Sequence, residues 1–297
     1  MTVLKISHLT KDYGNHRGIF DLSLNIEKGE VYGFLGPNGA GKSTTMRHIM
    51  GFSKADEGSI TVDNMDSWND KVKVKESIGY LAGEITLPND MNGLQYLKLI
   101  SKMRKMKSFD YAEELLKYFD IDANSNIKKM SKGMKQKIAI VATFMHDPDV
   151  ILLDEPTSGL DPLMQERFIE LVKKEKQKGK TIFMSSHIFE EVSKACDRVG
   201  IVKNGNLIKE LSMDTLRNNK EKTYILKFKN ESDINKIAKT YPKNNLNGND
   251  ELLVTINDEN INDLIKELAD CDLEYLKEKE ESLEEYFMKF YEGDVYD

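Results

Sequence analysis

The sequence predicts an α/β fold: a mixed β-sheet core with a helical insertion, followed by a small C-terminal α+β domain. The segments DVILLDEP and KTIFMSSH have the pattern of strands, and the helical pattern LMQERFIELVKKEKQKG lies between them. Strands joined through a helix pair in parallel, because a tight turn connects only antiparallel neighbours. Between Gly93 and about Phe119, apolar residues recur at helical spacing with almost no β-branched runs, which predicts the insertion.

Strands also open the chain, in LKISHLTKDYG and FDLSLNIEKGEVYGFLG, where apolar and polar residues alternate. We place the first domain at residues 1–214, with its helical subdomain at about 85–148, and the accessory domain at residues 215–297. In the accessory domain, KTYILKFKN and DELLVTIN have strand patterns, and PKNNLNGNDE is typical of a turn-rich loop. Its predicted helices are SDINKIAKTY, ENINDLIKELADC and ESLEEYFMKFYEG.

The negative charge of the chain is concentrated in its C-terminal part. Residues 213–297 carry 12 basic and 21 acidic side chains, a net charge of −9, while the whole chain has a net charge of −7. Such a region would repel a phosphate backbone, so we expect no nucleic-acid partner. No apolar run approaches the roughly 18 to 20 residues that span a bilayer, and MTVLKISHLTKDYG has no secretory apolar segment. Cys196 and Cys271 stand far apart, which favours a reducing cytosol over a disulfide framework or a zinc site.

A glycine-rich loop follows the apolar strand EVYGFLG and precedes a helix, KSTTMRHIMGF, that ends near Gly51. Its sequence GPNGAGKS satisfies the pattern G-x-x-x-x-G-K-[ST] in the structural context that this pattern requires. The glycines let backbone N–H groups surround phosphate oxygens, Lys42 reaches the β- and γ-phosphates, and Ser43 is placed to ligate Mg²⁺. The alternative is a glycine-rich turn that matches by accident. The predicted nucleotide-binding residues of the loop are Gly36, Asn38, Gly39, Ala40, Gly41, Lys42, Ser43 and Thr44.

The apolar strand in VILLDEP ends in two adjacent carboxylates, Asp154 and Glu155. Parallel sheets bind ligands at the carboxyl ends of their strands, so a metal-assisted site is expected at this edge. We assign Asp154 to Mg²⁺, and Glu155 to orienting or deprotonating the attacking water. Alone, an Asp-Glu pair is more often a solvated strand-end turn, but beside a phosphate loop the catalytic interpretation is favoured.

These motifs resemble those of the ATP-binding subunits of ABC transporters, and the resemblance covers residues 1 to about 210. In that family a signature close to LSGGQ opens a helix and contacts the ATP held by the opposite subunit; here MSKGMKQK stands in its place. Ser131 and Gly133 match the signature, whereas Lys132 and Met134 replace its first glycine and its glutamine. Ser131 is also a good helix N-cap, and both roles use the exposed N–H groups of a helix start.

Three single residues extend the resemblance. Asp161, in SGLD, matches the loop that in this family lies across the dimer interface. His187, after TIFMSS, matches the histidine that contacts the γ-phosphate, although a histidine at a strand end is more often a polar cap. Tyr13 matches the aromatic residue on which adenine stacks, with a core aromatic as the alternative.

One departure from the family concerns the metal site. Many relatives have a glutamine here that binds the metal and senses the membrane partner, whereas this chain reads IGYLAGE. Gly83 stands in the register of that glutamine and Glu84 beside it. Glu84 is therefore a candidate metal ligand, although a carboxylate adds negative charge near a triphosphate.

The resemblance implies an ATPase that closes around ATP with a second subunit, either a copy of itself or a relative, and drives a transmembrane permease subunit. The signature SKGMKQK, the Gly-Glu loop and the appended domain resemble exporters of drugs, antimicrobial peptides and lipid-linked polymers. The protein is then expected at the cytoplasmic face of the cell membrane, held there by the permease. An importer subunit, or a soluble ABC ATPase acting on ribosomes or nucleic acid, are the alternatives.

Two surfaces are candidates for contact with partners. The first is expected to meet a helix of the permease, with an ordinary mobile loop as the alternative; it comprises Glu84, Pro88, Asn89 and Met91. The second is one face of the last predicted helix, where helical spacing predicts core packing and a dimer or docking contact is the alternative. That face comprises Leu283, Tyr286, Phe287 and Phe290.

Overall fold

The structure is a computed structural model, and it divides the chain into two units, Met1–Met213 and Asp214–Asp297. No helix in the described part of the chain is both long enough and apolar enough to cross a membrane. The residues that the structure describes are 1–214, 221–241, 244–247 and 251–279.

A six-stranded mixed sheet forms the centre of the first unit, as predicted. Its strands are β3 (Val31–Leu35), β6 (Ile78–Leu81), β7 (Val150–Asp154), β8 (Thr181–Ser186), β9 (Arg198–Lys203) and β10 (Asn206–Ser212). In the order β10-β9-β3-β8-β7-β6, all neighbours pair in parallel except β10 and β9. Every residue of β3 and β7 is buried, which explains their unbroken apolar sequences.

A second sheet in this unit is antiparallel, with the order β2-β1-β4-β5. It consists of β1 (Thr2–Asp12), β2 (Gly18–Glu27), β4 (Glu57–Val62) and β5 (Met65–Asp66). The two strands that open the chain therefore pair with each other and stay outside the parallel sheet. One buried core joins the two sheets, because Leu4 and Leu24 belong to the same cluster as Phe34, Leu152 and Phe183.

Seven helices of this unit are described, and three of them build the predicted helical insertion between β6 and β7. The insertion contains α3 (Gly93–Met103), α4 (Asp110–Tyr118) and α5 (Lys132–Phe144). The remaining helices are α1 (Lys42–Ile49), α2 (Lys71–Ser77), α6 (Pro162–Gln177) and α7 (Phe189–Ala195).

Side-chain caps fix where three of these helices begin. Asn92 and Gln95 form a reciprocal capping box at the start of α3. Ser131 caps α5, and Asp161 caps α6 ahead of Pro162. Two of the predicted site residues, Ser131 and Asp161, are thus helix caps.

The second unit contains a strand–helix–strand–strand–helix–strand sequence. Its elements are β11 (Glu221–Phe228), α8 (Glu231–Thr240), β12 (Asn244–Asn247), β13 (Glu251–Asn257), α9 (Ile261–Ala269) and β14 (Leu273–Lys279). The antiparallel strands lie in the order β12-β13-β11-β14, which is the ferredoxin-like arrangement. Leu226, Leu252 and Val254 of the sheet pack in one core with Ile237 of α8 and Leu264 of α9.

Two strands of the second unit differ from the sequence expectations. The predicted loop PKNNLNGNDE contains β12, where Leu246 stands opposite Leu252 of β13. The predictions also lacked β14, whose sequence LEYLKEK is mostly exposed and charged. Both are edge strands that exist through pairing with a neighbour, and intrinsic propensity does not reveal such strands. The predicted last helix, ESLEEYFMKFYEG, lies outside the described residues.

Phe168 is expected to be a main support of the contact between α5 and α6. Its side chain is fully buried and meets Phe144 edge to face, with ring centroids 6.4 Å apart. We expect Phe168→Ala to lower the free energy of unfolding of the first unit by about 3–5 kcal/mol, measured by urea denaturation. Leu163, on the same helix, is 57% exposed, so Leu163→Ala should change this free energy by less than about 0.5 kcal/mol. Equal losses in the two variants would contradict the expectation.

Candidate nucleotide site

The glycine loop joins β3 to α1 and its course depends on glycine. Gly39 and Gly41 have φ angles of 85° and 104°, in the left-handed region where a side chain adds strain. At Gly36 a Cβ atom would approach the carbonyl oxygen of Val202 to 2.4 Å. The motif glycines are therefore required by this backbone.

Lys42 is the first residue of α1, and only 5% of it is exposed. Its ammonium Nζ donates hydrogen bonds to the carbonyl oxygens of Gly36 at 2.6 Å and Pro37 at 3.1 Å. The same Nζ forms an ion pair with Glu155 Oε1 at 3.1 Å. The ammonium is thus held between the glycine loop and the predicted catalytic carboxylate.

Glu155 and His187 directly follow β7 and β8, and parallel pairing brings these strand ends together. His187 Nδ1 lies 2.6 Å from Glu155 Oε2. The φ angle of Glu155 is 47°, and its N–H donates to Ser185 Oγ at 3.1 Å. A left-handed backbone at a bulky residue is strained, and such residues cluster at functional sites.

Asp154 is the last residue of β7 and is 2% exposed. Ser185 Oγ donates to its Oδ1 at 2.6 Å. A Cβ atom at Gly83 would lie 3.0 Å from Asp154 Oδ2, so the backbone of the loop after β6 passes close to this carboxylate.

Glu84 directly follows Gly83 in the loop after β6. Glu84 is exposed and lines a groove together with Tyr80, Ile85 and Arg104. Within the described residues, no group of three or more His, Cys, Asp and Glu side chains is arranged to hold a metal ion. The backbone of Gly83 is the part of this loop that approaches Asp154.

The start of α5, which carries the signature residues, is hydrogen-bonded to the loop that follows the two predicted catalytic carboxylates. Lys132 Nζ donates to Ser158 Oγ at 2.8 Å, and Gln136 Nε2 donates to the carbonyl oxygen of Pro156 at 2.6 Å. A Cβ atom at Gly133 would lie 2.6 Å from the carbonyl oxygen of Gly159, so only glycine permits this approach. Ser131 Oγ accepts from the N–H of Met134 at 3.2 Å, and Asp161 Oδ1 accepts from the N–H of Met164 at 3.0 Å.

Tyr13 lies just beyond β1 and is 57% exposed. Its N–H donates to the carbonyl oxygen of Arg17 at 2.8 Å, which closes a turn, and Lys11 Nζ lies 5.7 Å from the ring centroid. The alternative of a core aromatic therefore does not apply. An exposed aromatic ring is suited to stacking on a base.

Sequence reasoning missed a group of buried polar residues next to Glu155 and His187: Ser185, Ser186, Thr157 and Glu191. Thr157 Oγ1 donates to Glu191 Oε1 in a short hydrogen bond, and Ser186 Oγ donates to Glu191 Oε2 at 2.7 Å. Burial raises the pKa of Glu191, and the two hydrogen bonds counteract part of this rise. The available signal was the Ser-Ser-His sequence at the end of a predicted buried strand, since buried hydroxyls need partners.

The structure gathers Lys42, Asp154, Glu155 and His187 at the carboxyl edge of the parallel sheet, whereas Tyr13, Ser131 and Gly133 lie on other segments. Ser43 and Thr44 follow Lys42 in the first turn of α1. A glycine loop with a buried lysine, next to an acid-histidine pair and a second carboxylate, defines a P-loop ATPase.

Comparisons with known proteins agree with this class. Residues 19–158 match the family model described as ABC transporter. The chain is 40% identical over 206 residues to the ABC transporter ATP-binding protein NatA of Bacillus subtilis, covering 67% of this chain and 84% of NatA. It is 32% identical over 224 residues to the bacitracin transport ATP-binding protein BcrA of Bacillus licheniformis, covering 74% of this chain and 73% of BcrA.

Among solved structures, the dimeric structure of MJ0796, a bacterial ABC transporter cassette, superimposes with a TM-score of 0.64. It is 26% identical in sequence, and the match covers 71% of this chain and 98% of that chain. The chain belongs to the ABC transporter family, as an ATP-binding subunit with the fold and activity of an ABC ATPase.

If Tyr13 stacks on adenine, its ring and not its hydroxyl should matter. We expect Tyr13→Ala to raise the Kd for ATP about tenfold or more, because base–aromatic stacking contributes about 1–3 kcal/mol. Tyr13→Trp should retain the parent Kd within about twofold, since it keeps an aromatic face. Equilibrium dialysis with ATP and with inorganic tripolyphosphate separates base from phosphate contacts. Equal weakening for both ligands would show that the ring acts on the phosphates or on folding.

Proposed function

We propose that this ATPase powers export of a drug, antimicrobial peptide or similar amphipathic substrate through a separate transmembrane permease subunit, working as a dimer at the cytoplasmic face of the membrane. The observation that carries the transport assignment is the Lys42, Glu155 and His187 cluster on an ABC fold. The similarity to BcrA, whose name records bacitracin transport, supports an exporter of antibiotic-like substrates.

In the proposed reaction, the phosphates of ATP replace Glu155 as the partner of the Lys42 ammonium. The Glu155 carboxylate, released from that ion pair, then accepts a proton from water. The water oxygen forms a bond to the γ-phosphorus while the bond from that phosphorus to the bridging oxygen of ADP breaks. His187 lies within hydrogen-bond distance of Glu155 and is placed to hold the carboxylate in this orientation.

The donor atoms at the site suit Mg²⁺, which prefers oxygen ligands. Asp154 offers a buried carboxylate that Ser185 holds through Oδ1, and Ser43 stands in the first turn of α1 beside Lys42. We propose that Ser43 and Asp154 hold the ion. When bound, it would neutralise negative charge on the phosphate oxygens. Glu84, which directly follows Gly83, is proposed as a third candidate ligand.

We further propose that the second half of each site comes from the other subunit. Ser131 and Gly133 lie at the start of α5, where the N–H groups of a helix end can meet phosphate oxygens. The dimeric state of the MJ0796 cassette supports this arrangement. A second copy of this chain and a related chain are both compatible with it.

Substitution of the proposed general base tests the hydrolytic mechanism. We expect Glu155→Gln to lower the ATPase rate at least about 100-fold, because the amide cannot accept the proton of water. It should still bind ATP and should accumulate as an ATP-bound dimer, measured by light scattering and by nucleotide retained after gel filtration. Glu57→Gln, an exposed change on β4, is the control and should behave as the parent. Hydrolysis by Glu155→Gln at the parent rate would refute the assignment.

The permease is proposed to dock in the groove between the end of β6, α3 and α5. This groove has a volume of about 450 Å³, and Glu84, Leu87 and Ala142 line it. Two apolar side chains of α3, Leu99 and Met103, are 42% and 71% exposed. Exposed apolar residues beside a groove are typical of a helix-docking surface. Of the other residues in the predicted coupling surface, Asn89 is exposed, and Pro88 and Met91 are half-buried.

A large charged side chain in this groove should prevent permease docking and leave ATP hydrolysis by the isolated subunit unchanged. We expect Ala142→Arg to abolish co-purification with the permease subunit, because arginine fills the groove. The ATPase rate of the isolated subunit should stay within about twofold, since Ala142 lines the groove and makes no contact with Lys42, Glu155 or His187 among their hydrogen bonds and ion pairs. Glu113→Arg, exposed on α4, is the matched control and should leave co-purification unchanged. Retained co-purification of Ala142→Arg would exclude this groove, and crosslinks only to soluble proteins would exclude a permease partner.

A further inference from the structure

Glu191, in the first turn of α7, is a buried glutamate to which neither phosphate binding nor the Glu155–His187 pair assigns a role. Only 7% of it is exposed, and its two partners, Thr157 and Ser186, are 3% and 0% exposed. Each carboxylate oxygen receives one hydroxyl: Oε1 from Thr157 and Oε2 from Ser186. Ser186 Oγ also accepts from the N–H of Ile188 at 2.9 Å. The carboxylate is therefore satisfied on both sides within the protein.

Both partners of Glu191 are close in sequence to the residues of the predicted catalytic pair. Thr157 comes two residues after Glu155, and Ser186 immediately precedes His187. Glu191 therefore bridges the two segments that carry the catalytic acid and its histidine. Glu155 and His187 are in turn 2.6 Å apart, so the bridge and the catalytic pair close one loop of hydrogen bonds between the ends of β7 and β8.

A purely structural role fits this carboxylate poorly. Burying a charge is unfavourable, and an apolar side chain of similar volume often stabilises a protein as well or better. Hydrogen-bond geometry, however, can fix segments that apolar packing would leave free to shift. The left-handed backbone of Glu155 needs such support, because a strained conformation persists only when its surroundings hold it.

We propose that Glu191 is a positioning residue of the ATPase reaction, whose carboxylate sets the distance and orientation between Glu155 and His187. It touches neither the phosphates nor the attacking water in this role. Loss of the bridge should therefore slow the chemical step and leave nucleotide binding unchanged. Misplacement of a catalytic group by about 1 Å is enough to lower a rate by up to about 100-fold.

The first test compares two neighbouring glutamates of α7. We expect Glu191→Gln to lower kcat about tenfold, with KM and Kd for ATP within about twofold of the parent values. Glu190 is exposed and pairs with Lys194, so Glu190→Gln is the matched control and should keep the parent kcat. A parent-like kcat in Glu191→Gln, or a fall in ATP affinity as large as the fall in kcat, would overturn the proposal.

A second test distinguishes positioning from general destabilisation. If Glu191 acts by positioning Glu155, then Glu191→Gln added to Glu155→Gln should lower kcat by no more than about a further twofold, because the two changes affect one unit. A further tenfold loss in the double variant would show that Glu191 acts elsewhere.

Should the Glu191 variants fail to fold, Thr157→Val and Ser186→Ala each remove one hydroxyl of the bridge. Each is expected to lower kcat with ATP affinity unchanged, and parent-like rates in both would also overturn the proposal.

Discussion

The buried Lys42 and the half-buried Glu155 form an ion pair between the glycine loop and the end of β7, and the geometry of the site is organised around it. Two charges removed from water lose hydration, which the attraction between them offsets only when further hydrogen bonds satisfy both groups. Here the loop carbonyls of Gly36 and Pro37 accept from the ammonium, and His187 contacts the other carboxylate oxygen. The pair therefore holds the glycine loop and the ends of β7 and β8 in one arrangement.

This arrangement depends on parallel pairing of β3, β8 and β7. Because their carboxyl ends meet at one edge, Ser185 of β8 bonds both the Asp154 side chain and the Glu155 backbone. An antiparallel partner would have sent one of these residues to the opposite edge. The second sheet and the helices bury the outer faces of these strands. The same strand order therefore forms the buried core and fixes the positions of the side chains in the site.

Those parts of the site that depend on a short continuous segment could be predicted. The glycines before Lys42 are required by local backbone angles. The apolar run that ends in Asp154 predicts a buried strand with a carboxylate at its carboxyl end. The helical insertion was predicted for a similar reason, since helical periodicity is a local signal. The loop after β6 shows the limit of this reasoning. Only the folded chain shows that Gly83 passes close to Asp154 and that Glu84 lines the groove.

The sequence was sufficient to predict the phosphate loop and the paired carboxylates, because each consists of adjacent residues. It also predicted the fold class from local periodicity, and short motifs indicated membership of the ABC family. The folded structure decided which distant residues meet. It showed that Glu191 joins Thr157 to Ser186 and that β12 and β14 complete the second sheet. Such contacts arise from packing and strand pairing between residues far apart in the chain, and no local pattern encodes them.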